Sequence, residues 1–540
     1  MTTIERWDTH DIALDAAGSY ANPFRDIEVT ATFTHRESGR LITVDGFHDG
    51  GNTWRVRLMP LDLGTWEYRT HSADRGLDGQ GGTLSCVPPT KPYLRGPLQA
   101  RGHHFFYADG SPCFLMSTRF SCQFAPPAAW PPLIEFLREH RINRVLFMMG
   151  GVAGMFKDLY GQNADGTNDF WRYNVERFQA IDAFVDALRQ AGILAAPYFY
   201  YFNDGVQRGL TFEQDRAYVR YGMARLGAYA NVMPVLSNEV EQKYSDRRGE
   251  YDLRSHAWAN EIGAYLKERS VFGLPVTVHD PMETQQAVRP SFYTLLFDWP
   301  FPWTSHMLRQ AQLCALSASD VISDDVPEQR WPISYNARGY ARHNQLMIDL
   351  RRFGIPVVNE EPGYEMKGYS ADLQKIDQRP FNTQTTETLI PTFWTATCAG
   401  TYCMWGHMGT YVTGDPLAAT RDSETPRMLR ALHDCVAALP YWEMEPNNDL
   451  VTAADEEIDG KSYRTNFCLA KRGAVYLVYS LHGGDVGLQL ETGRYALTQL
   501  DARTGDRIAL GEITAGAGGK ETIAVAGHNQ VVVATRVEAR

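Results

Sequence analysis

No stretch of this sequence approaches the ~18 uninterrupted apolar residues that a membrane-crossing helix requires, so no membrane association is expected. A cationic start followed by an apolar run is also missing. The chain opens MTTIERWDTHDIALDA, with acids where a secretory signal would be basic, which points to a cytoplasmic protein. No Lys/Arg-rich run offsets the formal charge of −12, so nucleic acid is not an expected partner. The eight cysteines, Cys86, Cys113, Cys122, Cys314, Cys398, Cys403, Cys435 and Cys468, form no CxxC and no paired spacing with histidine. That excludes the usual zinc sites and a disulfide framework, and no metal or other cofactor is expected. GxGxxG and GxxxxGK[ST] are both absent, so a doubly wound sheet would lack its phosphate loop.

What is present is a soluble, folded composition, 44% hydrophobic and 21% charged. At 540 residues the chain exceeds the ~250 to 300 at which one core stops growing, so two or more domains are required. Aromatics at 12% supply flat surfaces suited to carbohydrate clefts as well as to cores.

Apolar residues recur at every second position near the start, as in Ile27, Val29, Ala31 and Phe33 against Glu28, Thr30, Thr32 and Thr34, and turn signals separate the runs. This predicts an N-terminal β-sandwich over 1–90, followed by a Pro-bearing linker over 91–102. From 103 to 445, short apolar strands alternate with long segments of helical period, predicting a central (β/α)8 TIM barrel. Its candidate strands are 112–118, 143–149, 193–201, 232–239, 274–280, 292–299, 355–361 and 401–407. Strand-like alternation returns over 446–540, predicting a C-terminal β-sandwich. The expected fold is therefore multidomain, a barrel flanked by two all-β domains.

In such a barrel the chemistry sits at the C-terminal ends of the strands. Glu239 closes the candidate fourth strand after Asn238, and Glu360 with Glu361 close the seventh before Pro362. Acids on strands four and seven flank the mouth, and glycoside hydrolysis needs such a pair, one carboxyl to protonate the leaving oxygen and one to attack the anomeric carbon. Arg119 after strand one, His279 after strand five, Asp298 and Trp299 after strand six, and Trp405 and His407 on strand eight occupy positions where substrate would be bound. Alternation along a strand further predicts that if Glu361 enters the mouth, Glu360 points to the surrounding helices or a neighbouring loop.

At these residues the sequence resembles the clan A glycoside hydrolases, and more closely a bacterial subgroup related to apiosidases and often labelled collagenase-like. The resemblance is carried by PVVNEEPGYE on strand seven, FWTATCAGTY on the helix that follows, FFYADGSPCFLMST at the start of the barrel and DARTG near the C-terminus. It extends to YANPF, VDGFHDGG and WRVRLMPLDLGTWEY, which are similar to a sandwich domain of unknown function that precedes many of these barrels. It implies Glu239 as acid/base, Asn238 as the residue holding the sugar 2-hydroxyl, and Glu361 as nucleophile of a retaining hydrolase. Some apiosidase-like relatives carry Asp at the strand-four position, so Glu239 is nearer the wider clan and the sugar stays open.

The leading expectation is a retaining glycosidase acting on small oligosaccharides or glycosides. Its rival is an inactive carbohydrate-binding protein that keeps the barrel cleft. A metal-dependent barrel hydrolase would want an HxH on strand one, and PCFLMST offers none. An exposed N-terminal sandwich could serve for assembly, so a homo-oligomer is compatible with the sequence.

Overall fold

A computed structural model describes residues 2–120, 124–150, 158–202, 204–238, 240–244, 253–278, 336–351, 354–360, 362–365, 384–407, 409–410, 416–458 and 460–537, and the structural statements below concern these.

The N-terminal residues form two sheets over one core. In the strand Val29–His35 buried and half-buried positions alternate, and Phe33 pairs with Ile42 on one side and Tyr68 on the other. A three-stranded sheet, in which His10–Asp15 pairs antiparallel with Thr53–Leu58, contributes Trp54, Val56 and Leu58 to the core that holds Ala31, Phe33 and Trp66. The 91–102 stretch is not wholly a linker, because Leu98–Arg101 pairs with His104–Tyr107 and that strand with Pro112–Cys113. The candidate first strand 112–118 therefore divides, and Ser117–Arg119 alone enters the central sheet.

That sheet is parallel throughout. Its order across the described residues is Val235–Asn238, Leu194–Tyr201, Arg144–Met148, Ser117–Arg119, Tyr402–His407, Val358–Asn359, and Thr277 bridges to Val235 in parallel at the open side. The strand nearest the start of this unit thus pairs with the one nearest its end. The candidate sixth strand, 292–299, lies outside the described residues. Arg144–Met148 and Leu194–Tyr201 are buried at every position, as parallel strands covered on both faces should be.

Helices follow the strands where the sequence supplies caps. Asn174 accepts a hydrogen bond from the Arg177 amide to open Val175–Gln190, and Thr211 with Gln214 forms a capping box before Phe212–Leu226.

The N-terminal unit docks on these two helices through buried charge. Arg57 Nε donates to Asp11 at 2.6 Å and Arg57 Nη1 reaches Asp182 at 3.3 Å, while Arg225 Nη2 donates to Asp182 at 2.9 Å and to Asp49 at 3.0 Å. At the other end, a six-stranded antiparallel sheet and a two-stranded one enclose Cys468, Tyr476, Val486, Leu488, Ile523 and Val532. Trp394 of the helix Thr386–Cys398 lies parallel to Tyr479, ring centroids 6.2 Å apart, and donates to the Ala502 carbonyl at 3.3 Å.

Candidate active site

Every described pairing in the central sheet is parallel, so all its strands run out at the same end, and a set of polar side chains is buried on one side of the sheet beneath that end. Ser117 pairs with Arg144 and Arg119 with Leu146, which puts Arg119 and Arg144 on one side of the sheet; Tyr198, paired with Met148, shares it. Arg144 opens an otherwise apolar strand, a charge that must find a partner inside. Its Nη1 lies 2.6 Å from Glu360 Oε1, and both side chains are essentially withdrawn from solvent. Tyr198 Oη donates to the other carboxylate oxygen at 3.2 Å and accepts from Arg119 Nη2 at 3.2 Å. Arg119 Nη1 in turn donates to Tyr364 Oη at 3.3 Å. Burial, and secondarily the Glu360 charge, push the Tyr198 phenol well above its ordinary range, so it stays a neutral donor.

This corrects the expected direction of Glu360. It faces the interior with Arg144 and Tyr198 instead of the outer helices. The reason lies in the register: Asn359 pairs with Cys403, which sets Glu360 opposite Met404, and Met404 pairs with Ser117 on the side of the sheet that holds Arg144. Alternation holds from Asn359 to Glu360, and the register with the neighbouring strand decides which of the two faces inward. Gly363, directly before Tyr364, has φ +129°, a conformation that favours glycine. Opposite it, a Cβ added to Gly406 would sit 2.9 Å from both the Gly363 carbonyl oxygen and the Tyr364 ring. Behind the strand, burial pushes His343 down to about 4, so its neutral ring meets the Asn359 amide at Nε2, 3.3 Å, and the Thr395 hydroxyl at Nδ1, 3.2 Å.

A second cluster lies on the opposite side of the sheet. Thr118 pairs with Trp405, so Trp405 and, two residues on, His407 share the face away from Arg119. Both are fully buried. Trp405 Nε1 donates to Glu365 Oε2 at 3.1 Å, the Ser423 hydroxyl donates to the same carboxylate at 2.8 Å, and His407 Nδ1 accepts from the Gly409 amide at 3.0 Å. These placements depart from the substrate-facing one expected of Trp405 and His407. Arg119 is 2% exposed, which rules out a surface ion pair.

Asn238 ends its strand, paired with Tyr201 and buried. Glu239, Glu361, His279, Asp298 and Trp299 lie outside the described residues. Among the described residues no group of three or more His, Cys, Asp or Glu could hold a metal ion. Beside the ends of the second and third strands, the hairpin of Tyr160–Gln162 and Asn168–Tyr173 borders a cavity of about 810 Å³ lined in part by Tyr160, Asn168, Phe170, Arg177 and Val206.

Sequence reasoning missed Arg144 as a partner for Glu360, although a lone arginine at the head of NRVLFMM was the available signal. It also missed the buried pair Lys243 and Asp215, 3.5 Å apart, for which a lysine and an aspartate 28 residues apart give no signal.

Comparison with known proteins bears on the same elements. Residues 144–411 match the family described as apiosidase-like, catalytic domain, and residues 3–73 match a domain of unknown function, DUF5060. A candidate glycoside hydrolase from Bacteroides vulgatus has the same fold over 99% of this chain and 100% of its own, with a TM-score of 0.74 at 17% identity. A glycoside hydrolase family 5 protein, also from Bacteroides vulgatus, aligns over 82% of this chain and 94% of its own, with a TM-score of 0.61 at 12% identity. No curated protein matches the chain in sequence. With an apiosidase-like catalytic domain behind a DUF5060 domain, the chain is a glycoside hydrolase.

Proposed function

We propose that the chain is a retaining clan A glycosidase of the cytoplasm that cleaves small oligosaccharides or glycosides by double displacement, with Glu239 as acid/base and Glu361 as nucleophile. The observation that supports this most is the common direction of the central strands. Asn238 ends one and Asn359 another, both at the same end of the parallel sheet. In this reading the segment 292–299 supplies the sixth strand and closes an eight-stranded barrel between Thr277 and Val358, with β-sandwiches at both ends of the chain.

In the first step the Glu361 carboxylate attacks the anomeric carbon while Glu239 gives its proton to the departing oxygen. In the second, Glu239 takes a proton from water, the water oxygen bonds to the anomeric carbon, and the Glu361 carboxylate leaves with net retention. Asn238 holds the sugar 2-hydroxyl. Glu360 is already committed to Arg144 and Tyr198, which leaves it a supporting part next to the nucleophile.

The test is a screen of aryl glycosides, furanosides included, followed by NMR of the first-formed anomer. Hydrolysis with retention supports the reading. Inversion overturns the nucleophile, and sugar binding without turnover by the intact protein would make it a binding protein instead.

A further inference from the structure

Directly after the strand Val235–Asn238 and position 239, the chain makes a single 3-10 turn, Val240–Lys243, whose last side chain is fully buried. Lys243 Nζ donates to the carbonyls of Gln207 at 3.1 Å and Leu210 at 3.4 Å, and lies 3.5 Å from Asp215 Oδ2. The same Asp215 oxygen accepts the Trp258 indole N–H at 2.6 Å. The ammonium also stands 5.1 Å from the centroid of the Trp258 ring and 5.4 Å from that of Phe202.

Each contact belongs to a different element. Gln207 sits in the turn Val206–Gly209 after the third strand, Asp215 in the first turn of the helix Phe212–Leu226, and Trp258 in the helix Leu253–Arg269. Gln207 is itself fixed, since its Oε1 accepts from the Tyr201 amide at 3.0 Å and its Nε2 donates to Tyr160 Oη at 3.0 Å. One ammonium therefore ties the turn after strand four to the loop after strand three and to the helices that flank both.

The pair is a poor source of stability. Burial pushes the Asp215 carboxyl up to about 6 and pulls Lys243 down, so the surroundings disfavour the charged form of each partner. Replacing such a pair by apolar side chains of similar volume is often neutral or stabilising. What an apolar pair would not supply is direction: three hydrogen-bonding contacts from one atom fix where Lys243 stands, and with it the turn that begins one residue after Glu239.

We propose that Lys243 and Asp215 are positioning residues for Glu239, four positions before Lys243, and that they set the line along which its carboxyl approaches the leaving oxygen. This rests on the reading of Glu239 as acid/base. Neither residue touches the sugar.

The test compares kcat/KM of the wild type, Lys243→Met, Glu239→Gln and the double variant Lys243→Met/Asp215→Leu on phenyl and dinitrophenyl glycosides of the sugar the wild type cleaves best. The dinitrophenyl substrate needs little protonic help and the phenyl substrate needs it fully. The expected result is that Lys243→Met loses about 30-fold or more on the phenyl glycoside and about threefold or less on the dinitrophenyl one, a smaller version of the Glu239→Gln pattern. The double variant, as stable as the wild type in a thermal melt, shows the same selective loss and stands in for Lys243→Met if that protein does not fold. Equal loss on both substrates by a folded variant, or full phenyl activity in the double variant, overturns the proposal while Glu239→Gln still shows selectivity. If Glu239→Gln shows no leaving-group selectivity, the acid/base reading falls, and this proposal with it.

Discussion

The Arg144 guanidinium and the Glu360 carboxylate meet at 2.6 Å inside the central sheet, across 216 positions of chain. Glu360 stands opposite Met404, in the layer that also holds Ser117 and Arg144, beneath the strand ends where the catalytic acids are proposed. The pair joins the second strand to the one that carries the proposed nucleophile. Tyr198 and Arg119 extend the contact to Tyr364, which pairs with Gly406.

Removing one member of this pair strands the other as a buried charge. Arg144→Met is expected to destabilise the protein by about 3 to 5 kcal/mol, and Arg144→Met/Glu360→Gln by distinctly less than the sum of the two single changes. Urea unfolding of the four proteins measures the cycle. Additive losses would mean that the pair is not coupled.

Azide separates the roles of the neighbouring acids. Glu361→Ala should abolish turnover and regain it with azide, giving a product of inverted configuration, because the small anion takes the place of the missing carboxylate. Glu360→Ala should gain nothing from azide and should lower the melting temperature. Rescue of Glu360→Ala would move the nucleophile one residue back.

Two acids, the half-buried Asp49 and the fully buried Asp215, should oppose each other in the dependence of stability on pH. Burial alone would raise Asp49, yet Arg55 and Arg225 hold it below its ordinary value, so its contribution is present above the unfolded pKa and is lost as pH falls through the folded one. Asp215 is raised to about 6, so its contribution is present below its unfolded value and is lost as pH rises through about 6. Unfolding free energies between pH 3 and 8 should show Asp49→Asn flattening the acid side and Asp215→Asn flattening the slope near pH 6. A slope unchanged in either variant would remove that acid from the account.

Trp394 is expected to carry much of the contact with the C-terminal sheets. Trp394→Ala deletes a fully buried ring lying parallel to Tyr479 and should cost about 3 to 5 kcal/mol. Limited proteolysis between 437 and 447 should speed up at the same time. Cleavage at the wild-type rate would show that other contacts hold the domain.

Much of the architecture was legible in the chain. Two-residue alternation marked Val29–His35, and unbroken apolar runs marked the strands buried on both faces, because burial on one face or on two imposes those patterns directly. Within PVVNEEPGYE, Glu360, Tyr364 and Glu365 all take part in buried polar contacts. Local sequence did not carry the direction of Glu360 or the face of Trp405. Alternation alone does not say which of two adjacent strand residues faces inward; the pairing of Asn359 with Cys403 does, and it turns Glu360 toward Arg144. Nor could spacing reveal that Arg144 meets Glu360 or that Lys243 meets Asp215. Those partners are chosen when strands and helices distant in the chain pack together, and a buried charge then takes whichever opposite charge the packing brings within reach.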